Sequence, residues 1–413
     1  MNYNTSRRPR SGSAPQRSAS FGGRPSFGGR PRHNSKPKSR GQYIHPSKFV
    51  NKAVTAKEEV KYESKHTFAD FPLNHRLHAN IAARNYTAPS AIQDQAIPLV
   101  LEGKDVIGLA NTGTGKTAAF IIPIIEKMQY VDNAPATLII TPTRELATQI
   151  DDEFRAFSKD MRMFSTIVVG GMNIDRQIRD LKRRPHVIIG TPGRLKDLLQ
   201  RRALDLRAVN TLILDEADRM LDMGFLPDIH AIIGQLPSER QSLCFSATIT
   251  PAIASLINTI LKDPVTVSVR TSETSEHVEQ DVIEANSKEH RVELLTEMLN
   301  GIDYDKVLVF GETKFGVQRL ADALNKSGHS AEAIHGNKSQ PQRQRALNKF
   351  KQNAVKVLVA TDVAARGLDI PNVSHVINFD QPQTYDDYIH RIGRTGRGGA
   401  KGKAYTFIET PRR

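Results

Sequence analysis

The sequence predicts an α/β fold made of two tandem parallel sheets, and three observations lead to this prediction. Apolar segments alternate with helix-like segments from Phe68 to about Val269, and the alternation resumes after residue 280. A polar stretch, Arg270 to Gln280, separates the two runs. Only the first run contains a glycine-rich loop between a strand and a helix, where such sheets bind phosphate. We therefore predict a basic tail at 1–60, a first domain at 61–269, a linker at 270–280 and a second domain at 281–413.

Each predicted strand is a short apolar run bounded by polar or turn-forming residues, as expected for strands that are buried on both faces. In the first domain the predicted strands are 105–109, 137–141, 165–169, 186–190, 211–215, 242–246 and 265–269. In the second domain they are 281–285, 306–310, 331–334, 356–360, 374–378 and 403–408. Helices are expected between the strands, for example at 117–129 and 145–158. This alternation is typical of doubly wound sheets.

Positive charge is concentrated at the N-terminus. Residues 1–57 contain 13 Lys or Arg and no Asp or Glu, whereas the whole chain has 58 basic and 44 acidic residues. The rest of the chain is therefore close to neutral. The tail at 1–60 is rich in Ser, Gly, Pro and Arg and has few large aliphatic side chains, so we expect it to be disordered.

The tail also contains a short repeat. Ser20-Phe21-Gly22-Gly23-Arg24-Pro25 recurs at residues 26–31. Arginine interleaved with phenylalanine on a flexible chain suits RNA, because guanidinium groups bind phosphate and aromatic rings stack on bases. A solubilising tail with a general attraction to polyanions explains the composition equally well, so both interpretations stay open.

The composition excludes several classes of protein. Cys244 is the single cysteine of the sequence and lies in an apolar strand, so an intramolecular disulfide is excluded and a buried structural thiol is expected. No apolar stretch is long enough for a membrane-spanning helix, and the N-terminus lacks the apolar segment of a signal peptide. We therefore expect a cytoplasmic protein in a reducing compartment, without a membrane partner.

A phosphate-binding loop is predicted at residues 110–117, which follow an apolar strand and precede a helix. Glycines let the backbone turn its N–H groups towards phosphate oxygens, and the helix N-terminus adds a positive dipole end. The lysine can reach the β- and γ-phosphates, and the threonine hydroxyl after it can bind Mg²⁺. Ala110 stands where the general pattern has glycine. The predicted nucleotide contacts are Asn111, Thr112, Gly113, Thr114, Gly115, Lys116 and Thr117.

Two adjacent carboxylates complete this predicted site. Asp215 and Glu216 directly follow the apolar strand at 211–214. Asp215 would hold the metal from the facing strand end, and Glu216 is placed to orient an attacking water. Adjacent carboxylates alone are usually a solvated surface, but a strand-terminal pair downstream of a phosphate loop is much rarer. Together the two segments predict nucleotide hydrolysis.

Further short motifs are present, and most of them follow predicted strands, at the edge where parallel sheets bind ligands. In the first domain they are Pro89 to Gln93, Pro142 to Ala147, Gly170-Gly171, Thr191 to Arg194, Asp215 to Asp218 and Ser246-Ala247-Thr248. In the second domain they are Val309 to Lys314, His335-Gly336, Gln340-x-x-Arg343, Ala360 to Ile370 and His390 to Arg397. This set resembles the DEAD-box ATP-dependent RNA helicases, which have two RecA-like domains. The resemblance covers about residues 65–410, in order and at the family's spacing.

The resemblance implies a set of ATP contacts. Phe68, 25 residues before Gln93, and Gln93 itself would contact adenine. The amide of Gln93 has a donor and an acceptor, which fit the N6 and N7 edge of the base. Ser90 replaces the more usual threonine, and Tyr86 is either a base-stacking residue or a core aromatic. The resemblance further implies that Asp369 faces the ribose, and that Arg394 and Arg397 reach the γ-phosphate.

The resemblance also implies an RNA path and a coupling motif. Small residues and arginine suit close contact with a sugar–phosphate backbone. The implied RNA-binding residues are Thr143, Arg144, Gly170, Gly171, Thr191, Gly193, Arg194, Thr313, Gln340, Arg343 and Thr361. The implied coupling residues, which link ATP hydrolysis to domain closure, are Asp218, Ser246, Thr248 and His390.

These implications predict a monomeric, RNA-stimulated ATPase that uses ATP and Mg²⁺ to unwind short RNA duplexes or to remodel ribonucleoprotein complexes. Single-stranded RNA and short duplexes would be bound with little sequence preference, and ribonucleoprotein partners are expected. Two alternatives stay open. A non-catalytic RNA clamp would bind ATP without fast turnover, and a DNA helicase would prefer the other nucleic acid. A plain phosphate-loop ATPase or kinase is excluded by the motifs of the second domain.

Overall fold

The structure is a computed structural model. It describes residues 44–51, 62–111, 113–128, 135–269, 278–301, 304–365, 370, 373–396 and 402–410. The predictions made for most of the tail, including the repeat at residues 20–31, lie outside the described residues. The predictions for Thr112, Asp369 and Arg397 also lie outside them.

The first sheet has seven parallel strands among the described residues, in the order β3-β4-β2-β5-β6-β1-β7. Their bounds are β1 Val106–Leu109, β2 Thr137–Ile140, β3 Ser165–Val168, β4 Val187–Gly190, β5 Thr211–Leu214, β6 Gln241–Ser246 and β7 Val265–Ser268. Every predicted strand of this domain is present within a residue at either end. The prediction of a parallel α/β sheet is confirmed.

Helices cover both faces of the first sheet. Their bounds are α1 His75–Ala83, α2 Ala91–Leu101, α3 Lys116–Met128, α4 Arg144–Phe157, α5 Ile174–Lys182, α6 Pro192–Gln200, α7 Ala217–Asp222, α8 Leu226–Ile233 and α9 Pro251–Ile260. One apolar cluster joins α1 to α4 to one face of the sheet, and a second joins α6 to α9 to the other face. None of the described helices combines the length and apolar character needed to span a membrane.

The second sheet has six parallel strands among the described residues, in the order β10-β11-β9-β12-β13-β8. The strands are β8 Val278–Ala285, β9 Val307–Phe310, β10 Ala331–Ile334, β11 Val357–Ala360, β12 His375–Asn378 and β13 Gly402–Glu409. The helices are α10 Lys288–Gly301, α11 Lys314–Lys326, α12 Gln340–Lys351, α13 Asp362–Ala365 and α14 Tyr385–Ile392. The two-domain α/β prediction is therefore confirmed.

Register brings the motifs of the first domain to one edge. Ile140 at the end of β2 pairs with Leu214 at the end of β5, and Leu109 at the end of β1 pairs with Ser246 at the end of β6. Because all these strands run in the same direction, the loops that follow them emerge side by side. The phosphate loop, the carboxylate pair and the segments after β2 and β6 therefore share the carboxyl edge of the sheet.

Two described segments extend beyond the predicted elements. Strand β8 begins at Val278, three residues before its predicted start. Within the tail that we predicted to be disordered, Pro46–Phe49 form a turn of 3-10 helix and Asn51 pairs with Gln280 of β8. Phe49 is fully buried in the core of the second domain. The polar average composition of the tail did not indicate this burial.

Candidate functional site

The phosphate loop turns through glycines in the left-handed region. Gly113 has a φ of 89° and Gly115 a φ of 90°, conformations that favour glycine because other residues are strained there. Lys116 and Thr117 are the first two residues of α3, so the loop leads directly into a helix N-terminus. The Nζ of Lys116 donates a hydrogen bond to the carbonyl of Ala110 at 2.7 Å. The lysine is thus held across its own loop.

The segment before α2 holds the phosphate loop from the side. The hydroxyl of Ser90 donates to the carbonyl of Thr114 at 2.8 Å, and Nε2 of Gln93 donates to the carbonyl of Gly115 at 3.1 Å. Oε1 of Gln93 accepts from the backbone N–H of Ser90. The amide retains one further donor and one further acceptor position, which are those needed to read adenine. A second consequence is that Gln93 supports the phosphate loop, which the sequence did not suggest.

Phe68 is buried in the apolar core of the first domain. Its ring packs edge-on against Phe71, with centroids 6.1 Å apart, and against Tyr86 at 5.9 Å. Tyr86 in turn contacts Phe157. Of the two interpretations left open for Tyr86, a core aromatic describes these contacts. Adenine contact by Phe68 stays a prediction.

A buried carboxylate next to Gln93 fixes the chain that leads to Phe68. Asp94 is almost fully buried, and it accepts hydrogen bonds from the Tyr62 hydroxyl at 2.6 Å and the Lys65 N–H at 2.8 Å. The N–H and the ring of His66 bind its other oxygen. Burial alone would raise the pKa of Asp94, but these hydrogen bonds outweigh it and lower the pKa. Asp94 therefore anchors the residues that carry the predicted adenine contact.

Asp215 and Glu216 lie at the end of β5 and are both buried. Burial raises the pKa of Asp215 to about 7, while the charge of Lys116 acts in the opposite direction. Glu216 has a φ of 53°, a left-handed conformation that is rare for a residue with a side chain and is found at functional sites. Its Oε2 makes no hydrogen bond with the described residues and lies 3.5 Å from Nε of Arg219.

The donor set at this edge fits a hard cation that keeps most of its water. The described residues contain no cluster of three His, Cys, Asp or Glu side chains that could hold a metal by itself. Thr117 and Asp215 offer one hydroxyl and one carboxylate oxygen at the same edge of the sheet, where their strands β1 and β5 flank β6. Mg²⁺ is typically bound in this way, with few protein oxygens and with phosphates completing its shell.

The final residue of the carboxylate segment binds the loop after β6. Oδ2 of Asp218 accepts hydrogen bonds from the N–H groups of Ala247 and Thr248, at 3.0 and 3.2 Å. The hydroxyl of Ser246 donates to the carbonyl of Thr248 at 2.8 Å. The predicted coupling residues of the first domain are thus in direct contact.

His390, on α14 of the second domain, is close enough to Asp218 and Arg219 for their charges to act on its pKa. Its pKa is lowered to about 4, first by burial and then by the positive charge of Arg219, whereas Asp218 acts in the opposite direction. Arg394 and Asp387 also act on it, in opposite senses. The predicted coupling residue of the second domain therefore lies in the electrostatic field of the Asp-Glu-Ala-Asp segment.

The segment from His390 to Arg397, which we call motif VI, contains a structural arginine as well as a predicted catalytic one. Arg391 binds both oxygens of Asp362, at 2.6 and 2.7 Å, and donates to the carbonyl of Asp380. This bidentate pair fixes α14 to the segment after β11. Arg394 follows one turn later and is buried. The structure thus describes one of the two arginines expected at the γ-phosphate, since Arg397 lies outside the described residues.

The loops after β2 and β3 meet through an arginine. A Cβ added to Gly171 would lie within 3 Å of the guanidinium of Arg144, and one added to Gly170 would lie 3.2 Å from it. Gly171 also has a φ of 74°, which favours glycine, whereas at Gly170 the flexible arginine side chain could move aside. The pKa of Arg144 is lowered, first by burial and then by the positive charges of Arg343 and Arg194. Three arginines thus share one region, an arrangement that favours a bound polyanion.

The remaining predicted RNA contacts lie at helix starts. Thr143 and Thr313 cap α4 and α11, each with its hydroxyl accepting a backbone N–H. Thr191 precedes α6, and a Cβ added to Gly193 in that helix would meet little. Thr361 follows β11 and is half-buried. These groups are placed at the carboxyl edges of the two sheets, and their RNA contacts stay predictions.

Gln340 and Arg343 make a contact between domains that the sequence did not reveal. Oε1 of Glu145, on α4, accepts a hydrogen bond from Nε2 of Gln340 at 3.2 Å and forms an ion pair with Nη2 of Arg343 at 3.0 Å. The side chain of Glu145 is 3% exposed and that of Arg343 is 11% exposed. Nε of Arg343 and Oε1 of Gln340 are buried without a partner among the described residues. Each residue therefore contacts Glu145 with one atom, and its RNA contact stays a prediction.

Comparison with known proteins identifies two matching family models. The model described as DEAD/DEAH box helicase matches residues 90–256. The model described as helicase conserved C-terminal domain matches residues 290–399. The N-terminal segment described above lies outside both.

Curated relatives are similar over most of the chain. The DEAD-box ATP-dependent RNA helicase CshA of Bacillus licheniformis is 48% identical over 347 residues, which cover 84% of this chain and 71% of that protein. The protein of the same name from Bacillus subtilis is also 48% identical and covers 84% of this chain and 70% of its own length.

Solved structures match across both domains. S. cerevisiae Dbp5 bound to RNA and ADP BeF3 has a TM-score of 0.74 and 32% identity, covering 83% of this chain and 90% of that one. Mss116p bound to ssRNA and AMP-PNP has a TM-score of 0.74 and 31% identity, covering 82% of this chain and 73% of that one. The arrangement of the two sheets is therefore similar to that of proteins crystallised with nucleotide and RNA.

Proposed function

Because this chain belongs to the DEAD-box family of ATP-dependent RNA helicases, we propose that it hydrolyses ATP when RNA is bound and uses the cycle to open short RNA duplexes or to remodel ribonucleoprotein complexes. The observation that carries this proposal is the contact of Glu145, in the first domain, with Gln340 and Arg343, in the second. A cytoplasmic location and a monomeric state are parts of the proposal.

ATP would bind to the first domain before the site is complete. The N–H groups of the phosphate loop and the N-terminus of α3 would hold the β- and γ-phosphates, with Lys116 leaving Ala110 to reach them. The free donor and acceptor of Gln93 would read the adenine edge, and Asp94 would keep Phe68 beside it. Asn111, Gly113 and Thr114 supply the rest of the loop, with Thr112 between them.

Thr117 and Asp215 would hold Mg²⁺ on the first domain. When bound, the ion would neutralise charge on the β- and γ-phosphate oxygens. The buried carboxylate of Asp215 would be ionised in that state because a cation favours the charged form. Glu216, with a buried oxygen not engaged in a hydrogen bond, would accept a hydrogen bond from the attacking water and orient it.

Closure of the two domains would complete the site. Arg394 would then stabilise charge on the transferred phosphoryl group from the second domain, in the role of an arginine finger, together with Arg397. Such fingers raise the turnover of related NTPases by about a thousandfold or more. RNA and ATP would each favour the closed state, so that each increases the affinity of the other.

RNA would lie along the carboxyl edges of both sheets. Arg144 and Arg194 would bind phosphates from the first domain, and the free Nε of Arg343 would do so from the second. The capping residues Thr143 and Thr313 place helix N-termini at the same edge. Contacts with phosphate and with 2′-hydroxyl groups imply little sequence preference and a bias for RNA over DNA.

The test is strand separation of a short RNA duplex with a single-stranded extension. The native chain should separate it with ATP and Mg²⁺ and should not turn over with a DNA duplex of the same sequence. A chain that hydrolyses ATP equally well with DNA would favour the alternative of a DNA helicase. A chain that binds RNA and ATP without turnover would favour the alternative of a clamp.

A further inference from the structure

Residues 44–51, which we call the N-terminal clip, dock on the second domain although they precede the first domain in sequence. The N–H of Asn51 donates to the carbonyl of Gln280 at 3.0 Å, and the N–H of Gln280 donates to the carbonyl of Asn51 at 2.8 Å. This antiparallel bridge covers the start of β8, the edge strand of the second sheet. Covering an edge strand satisfies backbone groups that would otherwise face solvent.

Phe49 anchors the clip. The side chain is fully buried in the cluster that includes Val278, Ile392 and Ala404, whereas its neighbour Val50 is 48% exposed. The turn that presents Phe49 begins at Pro46 and is capped by the ring of His45, which accepts from the N–H of Ser47. A large aromatic side chain in a closed pocket is the usual anchor of a docked segment.

Helix α14, which contains the start of motif VI, lines the pocket that holds Phe49. The ring lies 4.8 Å from that of Tyr388 on α14, in an edge-on arrangement. The Tyr388 hydroxyl donates to Oε1 of Gln280 at 2.8 Å, and Gln280 is also the residue that bridges to Asn51. Lys48 lies over the ring of Tyr385, the first residue of α14. The clip therefore contacts α14 directly through Lys48 and Phe49. It also contacts α14 indirectly through Gln280 of β8, which binds Tyr388.

Helix α14 carries His390 and leads to Arg394, the groups of the second domain that face the nucleotide site. Arg391 fixes one side of this helix to Asp362, as described above. The clip packs at Tyr385 and Tyr388, nearer the start of the helix. A shift of α14 of the order of 1 Å would displace Arg394 by a similar distance, and such shifts cost up to about a hundredfold in rate.

We infer that the N-terminal clip is a positioning element for motif VI, and that Phe49 is its positioning residue. This inference rests on the proposed function, because it assigns the clip an effect on ATP hydrolysis. The ten residues between Asn51 and Tyr62 can span up to about 36 Å, so the domains can separate while the clip stays docked.

The first experiment tests docking without reference to activity. In hydrogen exchange of the native chain, the amides of Asn51 and Gln280 should be protected, and Phe49→Ala should release both while the centre of the second sheet stays protected. Rapid exchange of both amides in the native chain would overturn the inference, whether or not the chain is an ATPase.

The second experiment tests positioning by steady-state ATP hydrolysis at saturating RNA. Phe49→Ala should lower kcat by between about tenfold and a hundredfold. It should leave the KM for ATP nearly unchanged, because the nucleotide contacts lie on the first domain. Phe49→Leu, which refills the pocket, should restore most of kcat, and the matched control Val50→Ala should match the native chain. An unchanged kcat in Phe49→Ala would overturn the inference.

A double variant separates positioning from loss of fold. If Phe49 acts through Arg394, then Phe49→Ala should lower single-turnover hydrolysis by less than about twofold in a chain that already carries Arg394→Ala. An equal loss in both backgrounds would mean that Phe49 acts only on stability, which would overturn the inference. Absence of RNA stimulation in the native chain would contradict the proposed function instead, and would leave the docking result standing.

Discussion

The contact of Glu145 with Gln340 and Arg343 predicts a specific loss of cooperation between ATP and RNA. Glu145→Gln keeps the size of the side chain and removes its charge. In the closed arrangement this leaves the guanidinium of Arg343, 11% exposed, beside the like charge of Arg144 and without its carboxylate. When the domains are separated both side chains would be solvated. The substitution should therefore raise the free energy of the closed state and leave that of the separated state nearly unchanged.

The size of this free-energy change follows from the hydrogen bond to Gln340 and the ion pair with Arg343, both of which the substitution weakens. A hydrogen bond to a charged group contributes about 1.5–3 kcal/mol, and removing one partner of a buried pair costs about 3–5 kcal/mol when the other stays fully buried. Because the pair is partly solvated, we expect about 2–3 kcal/mol. This corresponds to a decrease of about 30- to 150-fold in RNA affinity in the presence of a non-hydrolysable ATP analogue.

Fluorescence anisotropy of a labelled single-stranded RNA measures this effect. Glu145→Gln should bind RNA normally without nucleotide and weakly with the analogue. Glu153→Gln is the matched control, since Glu153 lies on the same helix but pairs with Arg84 of its own domain. The reasoning is refuted if Glu145→Gln and Glu153→Gln bind RNA equally well with the analogue present.

Three further predictions concern the base, the pH and the tail. ATP should be preferred to GTP, and Gln93→Ala should reduce the ratio of their kcat/KM values by about thirtyfold, for two hydrogen bonds of about 1 kcal/mol each; an unchanged ratio would exclude adenine reading by Gln93. Burial lowers the pKa of His390 to about 4 in the structure, whereas a solvated His390 in an open state would have the ordinary pKa of about 6.5. Between these two values, His390 binds a proton in the open state and not in the closed state. The equilibrium constant for closure should therefore decrease about tenfold from about pH 7.5 to about pH 5.5, as measured by RNA binding in the presence of the analogue. If His390→Gln shows the same pH dependence, another group is responsible for it. Deleting residues 1–43, which spares the clip, should leave ATPase activity at saturating RNA unchanged, lower RNA affinity and flatten its salt dependence; equal affinity at low salt would make the tail a solubility or partner-binding element.

Much of the fold was predictable from the sequence because strands buried on both faces consist of nearly continuous apolar residues. All thirteen strands of the described residues were predicted, and the largest error was three residues, at the start of β8. The loops of the site follow these strands, so a parallel sheet brings them to one edge without further information. The phosphate loop and the Asp215 segment were located for that reason.

Contacts set by tertiary packing could not be predicted. Nothing local in the sequence indicates that Asp94 accepts hydrogen bonds from residues about 30 positions earlier. Nor does it indicate that Glu145 pairs with residues almost 200 positions later. Phe49 was missed for a related reason, since a single aromatic in a polar, basic tail has no periodic pattern. Its burial depends on a pocket formed by Tyr388 and Val278, more than 200 residues away.

The most important proposal is that RNA-dependent ATP hydrolysis takes place at the carboxyl edge of the first sheet, where Lys116, Asp215 and Glu216 lie. Its most direct test is steady-state ATP hydrolysis by the native chain and by Glu216→Gln, each with and without single-stranded RNA. We expect RNA to increase the rate of ATP hydrolysis by the native chain strongly. We also expect that Glu216→Gln still binds ATP and RNA but loses hydrolysis by about a hundredfold or more, because the attacking water is no longer oriented. Native turnover that is indifferent to RNA, or near-normal RNA-stimulated turnover in Glu216→Gln, would contradict this proposal.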